Sequence, residues 1–281
     1  MTEDIRQIIQ VMADVYGRDI SHFDESFFIK TLRSRLDATA ITTFDRYCSY
    51  LAANSDEAEE LYSTLYVSFS EFFRNTLTFA MLEHLILPRL IEHKQKSGHT
   101  EIRVWSAGCS AGQESYSLAI LLDELFFTLG KHVSYRIFAT DISKTALSIG
   151  RKGVYDLMTV QNVRLGHFDS CFRSNQETCS VIQRLKDRID FSFYDLLDQE
   201  SSSPPASIFG DFDLIFCSNL LFYYQPDTQQ FILSKIHHAL GDEGYLACGE
   251  TERALVEKTG LFTEVCRPSA IFKKNTKRGD L

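Results

Sequence analysis

A run of small residues follows a β-type segment that begins at Ile102. Its sequence is Ser106-Ala107-Gly108-Cys109-Ser110-Ala111-Gly112. Small side chains let a backbone turn approach a ligand closely, and the N-terminus of a following helix offers unpaired N–H groups. A nucleotide can therefore be held at this turn. The alternative is that any α/β protein needs a tight turn here, and the G-x-x-x-G spacing of Gly108 and Gly112 alone leaves both interpretations open.

Asp141 ends the second β-type run, Phe138-Ala139-Thr140-Asp141. Open α/β sheets bind ligands at the carboxyl ends of their strands, so this carboxylate can accept hydrogen bonds from both hydroxyls of a ribose. The alternative is that Asp141 caps a helix that begins near Ser143. Asp141 lies 33 positions after Gly108, and the glycines do not follow the G-x-G-x-x-G pattern. Both facts disfavour NAD as the ligand.

An amide and two phenols follow a third, nearly all-apolar run at 212–217, namely Asn219, Tyr223 and Tyr224. A buried strand explains the apolar run, but it does not explain polar groups at the edge of a sheet where ligands bind. The position therefore favours a site for Asn219 and Tyr223. Packing accounts equally well for Tyr224.

Composition excludes several classes of protein. The 281 residues carry 38 acidic and 29 basic side chains, a net charge of −9 that would repel nucleic acid. Seven cysteines are scattered without C-x-x-C spacing, which indicates neither a disulfide framework nor a metal site. No uncharged apolar stretch reaches the length of a membrane span, and the chain opens with acidic residues, so we expect no membrane insertion, no signal peptide and a cytoplasmic location.

The patterning of apolar residues divides the chain into two predicted domains. Residues 1–90 repeat apolar positions at helical spacing and predict an all-helical N-terminal domain that ends in a linker helix. The segment 91–99 is polar and has a glycine, Gly98, at its next-to-last position, which is typical of a helix C-terminus that leads into a linker. We therefore predict a second domain over residues 91–281.

Short β-type runs alternate with helical stretches in this second domain, which predicts a parallel sheet. The predicted strands are 102–106, 135–140, 191–193, 212–217, 245–248 and 270–272, and the predicted helices between them are 115–127, 144–150 and 228–240. One connection, about 153–189, is too long for a loop. It carries alternating segments such as 167–172 and indicates a small inserted β subdomain.

In their order along the chain, these residues resemble the motifs of the chemotaxis receptor glutamate methyltransferases, the CheR family. The motifs are Ser70-Glu71-Phe72-Phe73-Arg74, Trp105-Ser106-Ala107-Gly108-Cys109-Ser110-Ala111-Gly112-Gln113-Glu114-Ser115-Tyr116-Ser117, Ala139-Thr140-Asp141, and Phe216-Cys217-Ser218-Asn219 with Tyr223. The resemblance covers most of the chain. It implies an α/β fold: a Rossmann-like methyltransferase sheet with a small β insertion, preceded by an all-α domain.

The resemblance also implies an activity. S-adenosylmethionine would be the cofactor and S-adenosylhomocysteine the product. The methyl acceptors would be glutamate side-chain carboxylates of a receptor or another signalling protein, which become methyl esters; the acceptor can itself be membrane-bound. No catalytic base is required, because a glutamate with a reference pKa near ~4.3 is already ionised at neutral pH.

The resemblance assigns roles to individual residues. The implied cofactor-binding residues are Ser70, Arg74, Gly108, Glu114, Asp141, Asp195, Leu196 and Asn219. Asp141 would bind the ribose, Asp195 and Leu196 would lie beside the adenine, and Asn219 would lie near the methionine part. Arg74 and Tyr223 are the implied catalytic residues, which would face the methyl group and hold the incoming carboxylate. The alternative for Arg74 is a salt bridge that links the two domains.

Three positions depart from the family pattern. Gln113 replaces a carboxylate, Ser115 replaces the proline that starts the helix, and Ser218 replaces an arginine. Ser218 leaves open a methyltransferase of the same fold that acts on another acceptor. Gln113 and Ser115 leave open a non-catalytic scaffold that binds the cofactor.

Overall fold

The computed structural model describes residues 3–66, 69–129, 134–207, 210–267 and 269–276. The chain divides into two compact units. The first consists of residues 1–67 with 221–229, and the second of residues 68–220 with 230–281. None of the described helices is long and apolar enough to cross a membrane.

The first unit is helical, as its periodicity predicts. Its helices are α1 (Glu3–Tyr16), α2 (Glu25–Thr39), α3 (Phe44–Ala53) and α4 (Ser55–Leu65). Three of them begin at polar caps: Asp24 accepts hydrogen bonds from the N–H groups of Ser26 and Phe27, Thr43 accepts from Arg46 N–H at the start of α3, and Asn54 caps α4. Each cap satisfies N–H groups that have no partner within the helix.

A buried carboxylate connects three helices of this unit. Glu57 of α4 is 5% exposed and receives two hydrogen bonds from the Arg35 guanidinium of α2, at 2.9 and 2.7 Å. The Tyr47 hydroxyl of α3 donates a third at 2.6 Å. Burial alone would raise the pKa of Glu57, but the hydrogen bonds from Arg35 and Tyr47 outweigh it and lower the pKa below 4.5.

We expect Glu57→Gln to destabilise the protein by about 3 kcal/mol, because it removes the buried carboxylate that accepts from Arg35 and leaves this largely buried guanidinium with the longer 3.9 Å contact to Glu60. The contribution of a carboxyl group with a lowered pKa is present above its unfolded pKa and is lost as the pH falls through the folded value. The difference between the two proteins should therefore shrink below pH 4.5. Urea unfolding at several pH values measures it. Glu60→Gln, on the exposed side of the same helix, should change stability by less than about 0.5 kcal/mol, and an equal loss in both variants would contradict the prediction.

The second unit is built on a seven-stranded sheet of order β6-β2-β1-β7-β8-β10-β9. Its strands are β1 (Glu101–Ala107), β2 (Ser134–Asp141), β6 (Ile189–Phe193), β7 (Phe212–Phe216), β8 (Leu240–Ala247), β9 (Phe262–Glu264) and β10 (Ile271–Lys274). The first five strands in this order are parallel, and β10 is antiparallel to both its neighbours. This confirms the predicted methyltransferase-type α/β sheet. The edge strand β9 was not predicted, because Phe262-Thr263-Glu264 contains one apolar residue followed by two polar ones and shows no β-type run.

Helices precede and connect the strands of this unit. They are α5 (Thr76–Met81), α6 (Leu87–Ser97), α7 (Gln113–Leu129), α8 (Lys144–Lys152), α9 (Leu165–Cys171), α10 (Gln183–Lys186), α11 (Pro226–Ala239), which belongs to this unit from residue 230 onward, and α12 (Arg253–Lys258). A π-helical turn at Leu82–Ile86 joins α5 to α6. The three helices predicted after Gly112 correspond to α7, α8 and α11.

A small three-stranded antiparallel sheet forms the insertion between α8 and β6. Its order is β3-β5-β4, with β3 at Val154–Asp156, β4 at Phe172–Ser174 and β5 at Thr178–Val181. The β subdomain is where the sequence predicts it, but the alternating segment 167–172 is mostly not a strand. Residues 165–171 form α9, whose buried His167 and Cys171 are four residues apart and share a helix face.

Residues 68–90 lie in the second unit, whereas their apolar periodicity predicts that they belong to the first domain. The reason is packing. Phe72, Phe79, Leu87 and Leu90 belong to the same buried cluster as the strand residue Val104. In addition, Lys94 of α6 forms a 2.8 Å ion pair with Asp213 of β7. A helix that covers a sheet has the same apolar period as one in a helical domain, so periodicity alone cannot assign it.

Candidate functional site

The turn after β1 is a backbone surface shaped by two glycines. Gly108 has φ of +70° and Gly112 has φ of +89°. A Cβ atom at Gly108 would lie 2.6 Å from Leu220 Cδ1, and one at Gly112 would lie 2.8 Å from the Phe191 ring. Ser110, between them, also has positive φ (50°). The turn therefore holds a conformation that larger residues would disturb.

Asp141 lies at the carboxyl end of β2 and accepts two backbone hydrogen bonds. Ser110 N–H donates to Oδ2 and Ser143 N–H donates to Oδ1, each at 2.8 Å. The helix cap is Ser143, whose hydroxyl accepts from Ala146 N–H, so the alternative role of Asp141 as the cap of α8 is wrong. Burial raises the pKa of Asp141, and the backbone hydrogen bonds oppose that rise. A carboxylate has about four acceptor positions, so room remains for two further donors.

Asp195 and Leu196 lie just beyond β6, the neighbour of β2. Tyr194 N–H donates to the carbonyl of Asp141 at 3.2 Å, which places this segment beside the Asp141 backbone. Leu196 is buried, and Asp195 accepts a hydrogen bond from Leu197 N–H at 2.8 Å. Lys235 of α11 donates to the Tyr194 hydroxyl at 3.3 Å and to the Asp198 carbonyl, and so connects this loop to α11.

Arg74 follows a strained residue. Phe73 has φ of +51°, is buried, and donates its N–H to Ser117 Oγ at 3.0 Å. The Arg74 guanidinium carbon lies 5.0 Å from the centre of the Phe69 ring. Within the described part of its own unit Arg74 forms no ion pair. Its positive charge nevertheless acts on Glu114, whose pKa it lowers.

Glu114 is a buried carboxyl group at the first turn of α7. Burial raises its pKa to about 8; Arg74 opposes this rise and the negative charge of Glu252 adds to it. Its Oε1 is buried without a hydrogen-bond partner, as is Oε1 of the neighbouring Gln113. The next residue, Ser115, donates its hydroxyl to Ser106 Oγ at 2.9 Å, which ties the helix to β1.

The turn after β7 contains Asn219, with φ of +59°. Two consecutive hydrogen bonds link its side chain to Asn75: Asn75 Nδ2 donates to Ser218 Oγ at 2.9 Å, and Ser218 Oγ donates to Asn219 Oδ1 at 3.0 Å. Asn75, which follows Arg74 in the chain, is thus connected to the side-chain amide of Asn219. Ser218, which stands where the family shows an arginine, serves as the link.

Tyr223 belongs to the first unit, with the segment 221–229. Its ring centre lies 4.7 Å from that of Phe27, and its carbonyl accepts a hydrogen bond from Asp24 N–H at 2.8 Å. The remaining predicted site residues belong to the second unit. A catalytic role for Tyr223 stays a prediction.

Buried polar atoms without partners mark the segments that carry the predicted site residues. They are Ser70 Oγ, Ser110 Oγ, Gln113 Oε1 and Glu114 Oε1. Folded proteins rarely leave such atoms unpaired, so they indicate a polar ligand. S-adenosylmethionine fits this set, because its ammonium, ribose and adenine groups supply donors and acceptors. In the part of the chain that is described, no group of three or more potential metal ligands is present.

Sequence reasoning missed two residues of this region. Asn75 was overlooked beside Arg74, and Glu252 was overlooked beyond β8. Glu252 is fully buried, and its carboxylate binds the backbone of the Asn219 turn. One signal was available for Glu252: it follows the apolar run Tyr245-Leu246-Ala247-Cys248, at the carboxyl end of a strand next to β7.

A mostly parallel sheet with a small-residue turn after β1, a carboxylate after β2 and an amide after β7 defines an α/β protein that binds a nucleoside-type ligand at one edge. Residues 68–271 match the family model described as CheR methyltransferase, SAM binding domain. The chain belongs to the CheR methyltransferase family, and S-adenosylmethionine is the cofactor of this domain.

Several curated proteins are similar along most of their length. The chemotaxis protein methyltransferase of Borreliella burgdorferi is 28% identical over 97% of this chain and 94% of the relative. That of Salmonella typhimurium is 31% identical over 88% of this chain and 82% of the relative. Chemotaxis protein methyltransferase 1 of Pseudomonas aeruginosa is 34% identical over 72% of each chain.

Proposed function

We propose that this protein transfers the methyl group of S-adenosylmethionine to glutamate side-chain carboxylates of a chemotaxis-type receptor. The product is a methyl ester. Family membership and relatives named chemotaxis protein methyltransferases support this proposal. The observation that carries it is the buried Glu114, whose Oε1 has no hydrogen-bond partner and whose pKa is lowered by the charge of Arg74 while burial raises it.

Bound S-adenosylmethionine supplies an electrophilic methyl group on a positively charged sulfur. The attacking oxygen would belong to an ionised glutamate side chain of the receptor; the new C–O bond would replace the S–CH₃ bond, whose electron pair would stay on sulfur. No proton has to move. The residues of this chain therefore have to bind, orient and exclude water, and such positioning can lower the barrier by roughly 7–11 kcal/mol.

We assign the binding roles as follows. Asp141 accepts the ribose hydroxyls with its remaining acceptor positions, and Glu114 neutralises the ammonium of the amino-acid part. Asp195 and Leu196 border the adenine. Asn219 holds the amino-acid part, and Gly108 leaves space for the nucleoside. Ser70 contributes a hydroxyl that lacks a partner in the protein.

Arg74 and Tyr223 are assigned to the methyl acceptor. A guanidinium holds a carboxylate in a fixed two-bond geometry, so Arg74 can orient the attacking oxygen. The phenol of Tyr223 can donate a hydrogen bond to a carboxylate. Both groups act by orientation, not by proton transfer.

The experiment that tests the proposal uses S-adenosylmethionine labelled in the methyl group and the cytoplasmic domain of a chemotaxis receptor. Labelled receptor that releases methanol in mild alkali is the expected result, because esters hydrolyse in alkali. A receptor variant with glutamine at the modified glutamates is the control and should stay unlabelled. Alkali-stable label on every acceptor, or binding of S-adenosylhomocysteine without any transfer, would contradict the proposal.

The affinity for S-adenosylhomocysteine should depend on the ionisation of Glu114. In the free protein the pKa of this carboxyl group is about 8, so below that pH a proton must leave before the carboxylate can pair with an ammonium. We expect the affinity to fall by up to about tenfold for each pH unit below 8 and to level off above it. Calorimetry in buffers of different ionisation enthalpy should show nearly one proton released per ligand at pH 7.

The variant Glu114→Gln tests the effect of this carboxyl group on stability as well as on binding. The raised pKa means that the folded protein retains a proton which the unfolded chain releases near pH 4.5, so stability decreases as the pH rises from 4.5 to about 8. Glu114→Gln should remove this decrease, abolish proton release and weaken binding. Proton release that persists in the variant would show that another group titrates.

A further inference from the structure

Glu252 is a buried carboxyl group that is bonded to the Asn219 turn. It ends a short 3-10 turn, Glu250–Glu252, that follows β8, and it is fully buried. Its Oε2 accepts hydrogen bonds from the N–H groups of Gly249 at 2.8 Å and Asn219 at 2.9 Å. Its Oε1 accepts from Leu220 N–H at 2.7 Å. One carboxylate thus binds the backbone of the turns after two neighbouring strands.

A buried carboxylate requires compensation, and here the compensation is specific. An ionised carboxylate accepts hydrogen bonds and donates none, so it matches three converging N–H groups better than any neutral side chain. Asn219 has φ of +59°, a conformation that L-residues rarely adopt without support. Two of the three hydrogen bonds go to Asn219 and the residue after it, and they hold this turn in that conformation.

The two turns are in close contact, which limits how else they could be held. A Cβ atom added to Gly249 would lie 2.8 Å from Glu252 Oε2 and 3.1 Å from Asn219 Nδ2. Gly249 therefore leaves the space that the carboxylate and the amide occupy together. The Asn219 side chain is held from the other side by Ser218, which is bonded in turn to Asn75.

Glu252 also acts on the site through its charge. Its negative charge contributes to the raised pKa of Glu114. A second carboxylate near Glu114 makes this side of the site more negative, which favours the cationic end of a ligand.

We propose that Glu252 is a positioning residue for the cofactor: it fixes the Asn219 turn through two backbone hydrogen bonds and joins it to the turn after β8 through a third, and thereby sets the affinity for the amino-acid part of S-adenosylmethionine. The inference rests on the proposed function, in which Asn219 holds that part. Glu252 itself touches the Asn219 backbone and acts on the ligand through it.

The test compares two ligands on the full-length protein. S-adenosylhomocysteine has both the nucleoside and the amino-acid part, whereas 5′-methylthioadenosine has only the nucleoside. The variant Glu252→Gln keeps the shape of the side chain but replaces one acceptor oxygen by a donor. We expect it to weaken S-adenosylhomocysteine at least tenfold in calorimetry and to change 5′-methylthioadenosine by less than twofold. Glu252→Asp, which keeps the charge, should recover part of the loss.

The matched control is Glu250→Gln, which removes the same charge from an exposed position two residues earlier in the same turn. It should bind both ligands like the unchanged protein. Equal weakening of both ligands by Glu252→Gln would overturn the inference, because general disruption of the fold would act on both. Unchanged binding of both ligands would also overturn it.

Amide hydrogen exchange tests the inference without any ligand or variant. The N–H groups of Asn219, Leu220 and Gly249 should exchange slowly in the unchanged protein, because each is bonded to a buried carboxylate. Rapid exchange of the Asn219 and Leu220 amides would overturn the inference even if Glu252→Gln does not fold. If the unchanged protein binds no S-adenosylhomocysteine, the proposed function fails. Slow exchange of these amides would then still show that Glu252 holds the Asn219 turn, so the two failures are distinguishable.

Discussion

Asp141→Ala is expected to weaken the binding of S-adenosylhomocysteine by about 100-fold or more. Hydrogen bonds to a charged acceptor contribute about 1.5–3 kcal/mol each, so losing two ribose contacts corresponds to at least two orders of magnitude. The substitution also removes the acceptor of the hydrogen bonds that the N–H groups of Ser110 and Ser143 donate to Asp141. The small-residue turn after β1 would lose its connection to β2. Calorimetry with the purified protein measures the change.

Two further variants define the origin of the Asp141 effect. Asp141→Asn keeps the shape and one acceptor oxygen, so its loss should be smaller than that of alanine. Asp156→Ala removes an exposed carboxylate at the end of β3 and should leave the affinity unchanged. If Asp141→Ala binds within threefold of the unchanged protein, the ribose does not bind at this carboxylate.

Arg74→Ala is expected to lower kcat/KM for methyl transfer to the receptor by roughly 100- to 1,000-fold, which corresponds to about 3–4 kcal/mol of transition-state stabilisation. The reason is lost orientation of the acceptor carboxylate, since no proton transfer depends on this group. Arg74→Lys keeps a charge but not the planar pair of donors, so it should recover only part of the activity.

The Arg74 measurement needs a fixed protonation state of Glu114. The Arg74 charge lowers the pKa of that carboxyl group, so its removal raises the pKa further and weakens cofactor binding at neutral pH. Initial rates measured near pH 9 with saturating S-adenosylmethionine separate the two effects. Arg89→Ala, an exposed arginine on α6, is the control. A variant of Arg74 with unchanged kcat at saturation would remove this residue from the catalytic step.

Much of the fold follows from local patterns. The alternation of β-type runs with helical stretches predicts the central parallel strands, because each strand is covered on both faces and reads as a short apolar run. The same reasoning places the inserted sheet at 153–189. It misassigns 167–172, because two apolar positions four residues apart fit α9 as well as a strand.

The site residues divide in the same way. Gly108, Asp141 and Asn219 could be chosen because each directly follows an apolar run, and strand ends meet at one edge of the sheet. Glu252 could not be assigned a role from sequence, since its three partners lie on two different turns and become neighbours only when β7 pairs with β8. The relay from Asn75 through Ser218 to Asn219 spans more than 140 positions of the chain for the same reason.

The amino-acid sequence by itself determined the sheet class, the family and the chemical types of the groups available to a cofactor, because periodicity and motif order are local properties. Only the tertiary structure decided which cap α8 uses, that residues 68–90 pack with the sheet, and that Glu114 retains a proton near neutral pH. The cap, the packing and the protonation state depend on burial and on contacts between distant segments, which exist only after the chain has folded.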